Sequence, residues 1–435
     1  MGVYLSTPNT EKHSEDGAEP GGTMVYGACA MQGWRKNMED EHVCLLELGG
    51  NSDVKMFGVF DGHGGKEVAR FCGRHMPSEM LALPEFGNGE YERALKRVFH
   101  RMDELLEQSE YQSELDALKS HPLFPSEEER REMEAKKAGE DGDLGDDGAK
   151  GQKELFDMLK GLLSVQSGDE KNGEKNGEKS GDGATKMAVP LGVERRESMA
   201  SDDIAAAEAE SAVSAASNAG FNVSSMPTFP CDEDAGEDDD ETEYFNEEPR
   251  TCLLSDHSVR AGCTSIVSVV VGNKLYTANA GDSRGVLCRR GLAVALSYDH
   301  KPKKKREFDR INAAEGFVNR VGRVNGNLNL SRSIGDLKYK QNTSKPPEGQ
   351  IITAEPDVSV IELVDDDEFF VLACDGVWDC MTNQQCVDFV RERLNRADRT
   401  SQICEEMLDF CIADDPRKTT GIGGDNMSVV IIKLK

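Results

Sequence analysis

The sequence lacks several features that would place the protein in a membrane or in a secreted class. None of its apolar runs approaches the roughly 20 residues that a membrane-spanning helix needs. The N-terminus has no charged-then-apolar layout of a secretory signal, so we expect a cytoplasmic or nuclear protein. The 12 cysteines form no Cys-x-x-Cys pair. Their single, apolar settings favour reduced core thiols over a zinc or disulfide framework.

Negative charge is abundant and unevenly distributed. The formal net charge of −30 disfavours nucleic acid as a direct ligand. Residues 110–250 contain 37 acidic and 15 basic side chains, a net charge of −22. The remaining residues contain 44 acidic and 36 basic side chains, a net charge of only −8. Two regions of different character therefore share one chain.

The acidic region has a composition that cannot support a core. Residues 171–179 form a small polar repeat, and eleven of the twenty residues in 231–250 are acidic. Such a segment buries too little apolar area to offset the entropy of the chain. We predict an acidic, disordered insertion over 115–255, with short helices conceivable near 153–163 and 203–216. It would either bind basic proteins or only solubilise the chain.

Around the insertion, the hydrophobic pattern predicts one split domain over 24–114 and 256–435, preceded by a flexible segment over 1–23. Apolar runs and hairpin turn signals predict strands. These cover residues 25–31, 43–48, 56–60, 265–271, 274–280, 286–288, 293–296, 358–363, 368–374 and 427–434. The runs 358–363 and 368–374 are interpreted as a strand pair. Helical spacing is found over 66–76, 91–108, 308–314, 386–394 and 401–411. Because hairpins dominate, we expect antiparallel sheets covered by helices.

Several aspartates follow these strands in glycine-rich turns. They are Asp61, Asp282, Asp375 and Asp425, and the pair Glu39-Asp40 lies upstream. Any single Asp-Gly dipeptide is most simply a turn. Carboxylates concentrated at the ends of buried strands repel one another unless a cation compensates them. Oxygen ligands without nearby Cys or His pairs indicate Mg²⁺ or Mn²⁺ rather than zinc. Sequence alone does not show that the turns meet.

Seven motifs in this order resemble the protein phosphatase 2C family of metal-dependent Ser/Thr phosphatases. They are Arg35…Met38-Glu39-Asp40, Asp61-Gly62-His63-Gly64-Gly65, Gly262-Cys263-Thr264-Ser265, Gly281-Asp282-Ser283-Arg284, Leu330-Ser331-Arg332-Ser333-Ile334-Gly335-Asp336, Asp375-Gly376-Val377-Trp378-Asp379 and Gly424-Asp425-Asn426. Residues 1–10, the stretch 31–34 and the acidic insertion also resemble the gamma-type branch and its plant relatives. Cys263 replaces a more usual serine, which is a mild departure.

The resemblance implies an α+β fold, a four-layer sandwich of two antiparallel β-sheets flanked by α-helices. It also implies two Mg²⁺ or Mn²⁺ ions and a third ion that is bound more weakly. By position, Asp61 would bridge both ions, the Gly62 carbonyl would bind one, and Asp375 and Asp425 the other. Glu39 and Asp40 would act through water or as outer ligands. Asp282 and Asp379 would hold the third ion.

The implied reaction is attack on phosphorus by a metal-activated water, with no covalent phosphoenzyme. Arg35 would grip the substrate phosphate, and His63 would protonate the leaving oxygen. The alternative for Arg35 is a surface ion pair, and that for His63 is a structural role. No Cys-x5-Arg loop is present, so cysteine is not expected to be the nucleophile. Two other functions stay open, a phosphoprotein-binding protein and a hydrolase of small phosphoesters.

Signals for location and partners are short. Met1-Gly2-Val3-Tyr4-Leu5-Ser6 fits an N-myristoylation pattern, which would give only weak membrane contact. The run Lys303-Lys304-Lys305-Arg306 matches a nuclear localisation patch or a solvated loop before a helix. We therefore expect a cytoplasmic or nuclear monomer whose partners are phosphoproteins.

Overall fold

The structure is a computed structural model, and it describes residues 4–120, 244–246 and 254–434. Most of the predicted acidic insertion lies outside these residues, as do the short helices considered near 153–163 and 203–216 and the predicted acylation of Gly2. Within the described ranges, no helix has the length and apolar character that crossing a bilayer requires.

Twelve strands are found in the described part of the chain, and they form two six-stranded sheets. The strands are β1 Asn9–Ala18, β2 Met24–Gly33, β3 Glu41–Leu45, β4 Val54–His63, β5 Gly262–Val271, β6 Lys274–Ala280, β7 Arg284–Arg289, β8 Leu292–Ala295, β9 Ile334–Gly335, β10 Asp357–Glu362, β11 Asp367–Ala373 and β12 Met427–Leu434. The first sheet has the order β1-β2-β12-β11-β7-β8. The second has the order β10-β6-β5-β4-β3, with β9 paired to β5. All of these pairings are antiparallel.

Most of the helices pack on the outer faces of the sheets, and one of them packs in a separate small cluster. They are α1 Glu67–Ala82, α2 Pro84–Gly87, α3 Tyr91–Leu106, α4 Gln112–Ser120, α5 Lys305–Ala313, α6 Asp375–Trp378, α7 Asn383–Arg393 and α8 Thr400–Cys411. Short 3₁₀ turns cover Ser109–Tyr111, Leu337–Tyr339 and Pro347–Gly349. A capping box fixes the start of α7, because Thr382 accepts from the Gln385 N–H while the Gln385 side chain accepts from the Thr382 N–H.

Three apolar layers hold the sandwich together. Phe57 of β4 meets Phe370 of β11 edge-on between the two sheets, with ring centroids 5.9 Å apart. A second layer lies between the second sheet and α1 and α3, and a third lies between the first sheet and α7 and α8. The predicted α+β four-layer sandwich is therefore confirmed.

The N-terminal segment was predicted to be flexible over 1–23, and this is wrong for residues 9–18. They form β1, an edge strand that pairs with β2. Asp16 accepts hydrogen bonds from the N–H and the hydroxyl of Ser401 in α8, at 2.8 and 2.5 Å. An edge strand that faces solvent does not need an apolar run, so the hydrophobic pattern gives no signal for it.

The expected pairing of 358–363 with 368–374 is also wrong. The two runs are β10 and β11, but β10 pairs with β6, whereas β11 pairs with β7 and β12. The short connection between them crosses from one sheet to the other. Ile361 and Phe370 both contribute to the layer between the sheets. Their apolar side chains therefore face each other across the sandwich rather than along one sheet.

The predicted boundaries of the insertion were too wide at both ends. Helix α4 continues to Ser120, and its Leu115 and Leu118 are buried. At the other end, Tyr244 lies against Phe308 of α5 with ring centroids 5.6 Å apart. The N–H of Asn246 donates to the Val318 carbonyl at 2.7 Å. These contacts attach both ends of the segment to the folded domain.

Candidate active site

The aspartates singled out in the sequence meet at one end of the two sheets. Asp61 lies near the end of β4, and Asp40 lies in the connection from β2 to β3. Asp282 lies between β6 and β7, Asp375 begins α6 directly after β11, and Asp425 precedes β12. The strand registers put all of these ends on the same edge of the sandwich, because Asp61 faces Thr264 and Ala373 faces both Arg284 and Val429. We call Asp40, Asp61, Asp282, Asp375, Asp379 and Asp425 the aspartate cluster.

Close backbone contacts fasten these loops together. A Cβ atom built on Gly62 would lie 2.2 Å from the Glu39 carbonyl oxygen. One on Gly376 would lie 2.0 Å from the Asn426 carbonyl oxygen. The Asn426 side chain accepts from the Glu39 N–H at 3.0 Å, and it donates to one backbone carbonyl in β2 and one in the loop after β2. Only glycine fits at both positions, since real Cβ atoms do not approach other atoms so closely.

The carboxylates raise one another's pKa. Burial raises the pKa of Asp61 well above its usual range, and the charges of Asp375, Asp40 and Asp425 raise it further. Burial also raises the pKa of Asp375, with Asp282 the largest of its charged neighbours. The pKa of Asp40 rises to about 7, again mainly through burial. Buried like charges repel, so this cluster needs positive charge to ionise fully.

Two basic side chains contact the cluster. Arg35 pairs with an oxygen of Asp425, and its side chain is 48% exposed at the rim. Lys301 donates to Asp282 at 2.8 Å, and Asp282 is buried. Asp379 lies at the exposed side of the cluster, where its charge helps to raise the pKa of Asp375. Among the described residues, only two basic side chains thus contact the six carboxylates directly.

The donors fit a cation that prefers oxygen. One oxygen of Asp40, Oδ2, accepts from the Ser428 hydroxyl at 2.8 Å. The other, Oδ1, is buried and has no hydrogen-bond partner among the described residues. As they are placed, no three Asp, Glu, His or Cys side chains of the described ranges enclose an ion. The chemistry of the set nevertheless matches Mg²⁺ or Mn²⁺, because its donors are carboxylate and carbonyl oxygens. The individual ligand assignments stay predictions.

His63 lies beside the cluster and has its own carboxylate partner. Its Nε2 is 2.6 Å from Oδ2 of Asp336, which is 1% exposed and also accepts from the Ser333 hydroxyl at 2.7 Å. Burial lowers the pKa of His63, but Asp336 more than offsets this, and the net pKa is raised. A Cβ built on Gly262 would lie 2.4 Å from Asp336 Oδ2, so glycine leaves the space for this pair.

Sequence reasoning assigned no role to several residues that shape the site. Asp336 ends one of the seven motifs but had no predicted function. The sequence pattern did not indicate the contacts of Lys301 and Asn426. His300 accepts from the Gly281 N–H at 3.1 Å and so holds the turn that presents Asp282. Such contacts join residues distant in sequence, so neither spacing nor hydrophobic pattern signals them.

The fold and the site together are those of a metal-dependent phosphatase. The family model described as "Protein phosphatase 2C" matches residues 24–120 and 209–420. The chain is 38% identical to "Probable protein phosphatase 2C 11" of Oryza sativa subsp. japonica, over 100% of this chain and 91% of that protein. It is 36% identical to "Probable protein phosphatase 2C 60" of Arabidopsis thaliana, covering 100% and 92%. It is 33% identical to "Protein phosphatase 1G" of Homo sapiens, covering 100% and 93%.

The chain therefore belongs to the protein phosphatase 2C family, and it is an enzyme, a protein-serine/threonine phosphatase. The family is metal-dependent, and the predicted likeness to the gamma-type branch and its plant relatives is confirmed. Among solved structures, "Crystal structure of a phosphatase from a pathogenic strain Toxoplasma gondii" aligns with a TM-score of 0.52 at 17% identity, covering 98% of this chain and 96% of that one. This likeness supports the fold alone.

Proposed function

We propose that this enzyme hydrolyses phosphoserine and phosphothreonine in proteins by direct attack of water, without a covalent phosphoenzyme. The observation that carries the proposal is the convergence of six aspartates from both sheets on one edge of the sandwich, where burial and mutual repulsion raise the pKa values of Asp61 and Asp375. Carboxylates in this state are stabilised by bound cations.

Asp61, the Gly62 carbonyl, Asp375 and Asp425 would hold two divalent ions, with Glu39 and Asp40 as outer or water-mediated ligands. Asp282 and Asp379 would hold a weaker third ion, for which Lys301 competes in the present arrangement. Bound there, such ions would supply a water that is hydroxide-like near neutral pH. Asp40, which is buried and accepts from the Ser428 hydroxyl, would help to orient that water.

Arg35 and His63 would act on the substrate. The Arg35 guanidinium lies at the rim beside Asp425, where its planar N–H groups match the oxygens of an incoming phosphate. His63 would donate its proton to the leaving serine or threonine oxygen, because the alkoxide is a poor leaving group. Asp336 contacts the imidazole at Nε2, so Nδ1 is the nitrogen that would donate the proton.

The test is phosphate release from a phosphothreonine peptide with Mn²⁺ or Mg²⁺, followed by chelation with EDTA. We expect activity that requires the metal and no acid-stable phosphoprotein in a rapid quench with ³²P-labelled substrate. An Asp61→Asn variant should lose most activity while its thermal unfolding stays close to that of the wild type. Hydrolysis that persists in EDTA, or a labelled enzyme intermediate, would contradict the proposal.

Because the family assignment makes the chain an enzyme, the alternative that needs a test is a hydrolase of small phosphoesters. Faster turnover of nucleotides than of phosphopeptides would favour that alternative. Partners of the acidic segment, acylation of Gly2 and the location in the cell stay predictions.

A further inference from the structure

The segment from residue 316 to residue 347 is rich in positive charge, although the chain as a whole has a net charge of −30. It contains six basic residues and one acidic residue. The acidic residue, Asp336, is buried against His63. Two of the basic residues, Arg332 and Lys340, are buried in ion pairs inside the domain. The surface of this segment therefore presents cations and no carboxylate of its own.

The other four basic residues form what we call the cationic loop face. They are Arg320, Arg323, Lys338 and Lys345, and all are exposed or partly exposed. Two of them lie over aromatic rings, Arg320 at 5.9 Å from the centroid of Phe245 and Lys338 at 4.8 Å from that of the neighbouring tyrosine. Across residues 4–120, 244–246 and 254–434, the structure records no ion pair for any of the four.

A small core of its own supports this face. Val318 and Val324, on either side of the loop tip, pack in the same buried cluster as Tyr339, which follows Lys338. Val321, at the tip, is 74% exposed, so the tip projects away from that core. The cations of the face are thus held on one framework rather than scattered over the domain.

The framework is attached to the active site at two points. Asp336, the carboxylate partner of the proposed catalytic histidine, belongs to the same segment. At the other point, Gly322 lies against Lys303, since a Cβ on that glycine would be 3.3 Å from the lysine Cε. Lys301, two residues earlier, contacts the aspartate cluster. A polypeptide that enters the site from this side would therefore pass over the cationic loop face.

We propose that the cationic loop face binds acidic residues flanking the phosphorylated residue of a protein substrate, an inference that rests on the proposed function. The complementarity is electrostatic, because the chain has a net charge of −30 whereas this face presents only cations, which attract an acidic polypeptide. The net negative charge of the chain would repel nucleic acid, which also needs aromatic stacking surfaces or a broad basic groove. The face offers four cations on one loop framework, which suits a short acidic peptide.

The experiment compares phosphothreonine peptides of equal length whose flanking residues are acidic, neutral or basic. For the wild-type enzyme with saturating Mn²⁺, we expect kcat/KM to be highest for the acidic peptide. The Arg320→Gln/Arg323→Gln variant should lose about three- to tenfold in kcat/KM on that peptide, through KM, since exposed charge pairs contribute modestly. Its activity on the neutral peptide should stay within twofold. The preference should shrink at high ionic strength.

A matched control removes two exposed cations elsewhere. Lys274→Gln/Arg290→Gln makes the same change in charge, at the ends of β6 and β7 that are remote from Asp282. This variant should keep the preference for acidic peptides. Its behaviour separates local contacts from a change in the overall field of the protein.

Equal kcat/KM on all three peptides for the wild type would overturn the inference while leaving the phosphatase intact. An equal loss of kcat/KM on all peptides in the Arg320→Gln/Arg323→Gln variant would also overturn it. A gain of kcat/KM on all peptides would overturn it too, because it would indicate that acidic residues of the chain itself cover the face. Binding of a labelled RNA oligonucleotide that disappears in this variant, with peptide preference unchanged, would assign the face to RNA instead. Failure of the proposed function would look different, because no peptide would release phosphate.

Discussion

The contact between His63 and Asp336 leads to a prediction about leaving groups. Replacing Asp336 by Asn removes the charge that orients the imidazole at 2.6 Å. A buried hydrogen bond to a charged group contributes about 1.5–3 kcal/mol. If His63 donates a proton in the transition state, loss of this orientation should reduce kcat about ten- to hundredfold on a phosphoserine peptide. His63→Gln, which removes the acid itself, should cost about 10²- to 10⁴-fold.

The assay uses two substrates that differ in their need for a proton. Serine leaves as a strongly basic alkoxide, whereas nitrophenolate leaves without protonation. We therefore expect Asp336→Asn and His63→Gln to slow hydrolysis of the phosphoserine peptide strongly and that of para-nitrophenyl phosphate less than about tenfold, within what positioning alone can change. Steady-state kcat is measured at saturating Mn²⁺, so that altered metal affinity does not enter.

Asp103→Asn, in α3, supplies the control, because Asp103 contacts the segment that contains Asp336. Asp103 accepts from the Gly335 N–H at 2.8 Å and from Lys340 at 2.6 Å, but it does not contact His63. This variant should affect both substrates equally and weakly. An equal loss on both substrates in Asp336→Asn would refute the acid role, because a distorted site slows both reactions alike.

Three further predictions concern the framework of the domain. Glu307→Gln should lower the free energy of unfolding by about 3 kcal/mol in urea at pH 7, because Glu307 is buried between Arg310 and Arg332. These arginines hold the pKa of Glu307 well below its usual 4.5. The stability that the ionised Glu307 contributes is therefore present above pH 4.5 and is lost as the pH falls towards the lowered pKa. The difference in the free energy of unfolding between wild type and variant should narrow in acid. Gly62→Ala should reduce activity at least about tenfold, because its Cβ would strike the Glu39 carbonyl, whereas Gly87→Ala, which meets nothing within 4 Å, should not. Asp16→Ala should cost about 1–3 kcal/mol of unfolding free energy by removing the link from β1 to α8, with kcat unchanged; no change in urea midpoint would mean that β1 does not support the domain.

Much of the fold could be predicted because its strands and helices have strong local patterns. The last strand, residues 427–434, matches β12 residue for residue, since six of its eight residues are apolar. The edge strand β1 was missed because its side chains are polar on a solvent-facing edge. The β10–β11 pairing was wrong because a short connection fits a hairpin and a crossing between sheets equally well. Local pattern determines strands, but it does not determine which sheet they join.

The convergence of the carboxylates could be predicted only from all of the motifs together, not from any single aspartate. Each Asp in a glycine turn is ambiguous, and the motifs in family order removed that ambiguity. The contacts that organise the set were not predictable. Lys301 reaches Asp282 and Asn426 ties the loop of Glu39 because the sheets fix distances between residues far apart in sequence. Physical spacing along the chain contains no such information.

Acidic residues also cluster at the opposite end of the sandwich, where two of the described aspartates are paired with arginines. The chain crosses between the sheets there from β10 to β11. Asp367 receives two hydrogen bonds from the Arg289 guanidinium, at 2.7 and 3.0 Å, and Asp366 pairs with Arg290. Each of these two carboxylates has its own arginine, so the local charge is already balanced and leaves no demand for a bound cation.

The active-site end of the sandwich has a different ratio of carboxylates to the basic side chains that contact them. Six aspartates converge there, and only Arg35 and Lys301 contact them directly in the part of the chain that the structure describes. A turn that contains an aspartate is therefore a weak indicator by itself, because both ends of the sandwich have such turns. The excess of buried carboxylates over the basic side chains that reach them is the physical property that separates a metal-binding edge from a merely acidic one. That excess depends on the whole fold, since the six residues come from five separate loops.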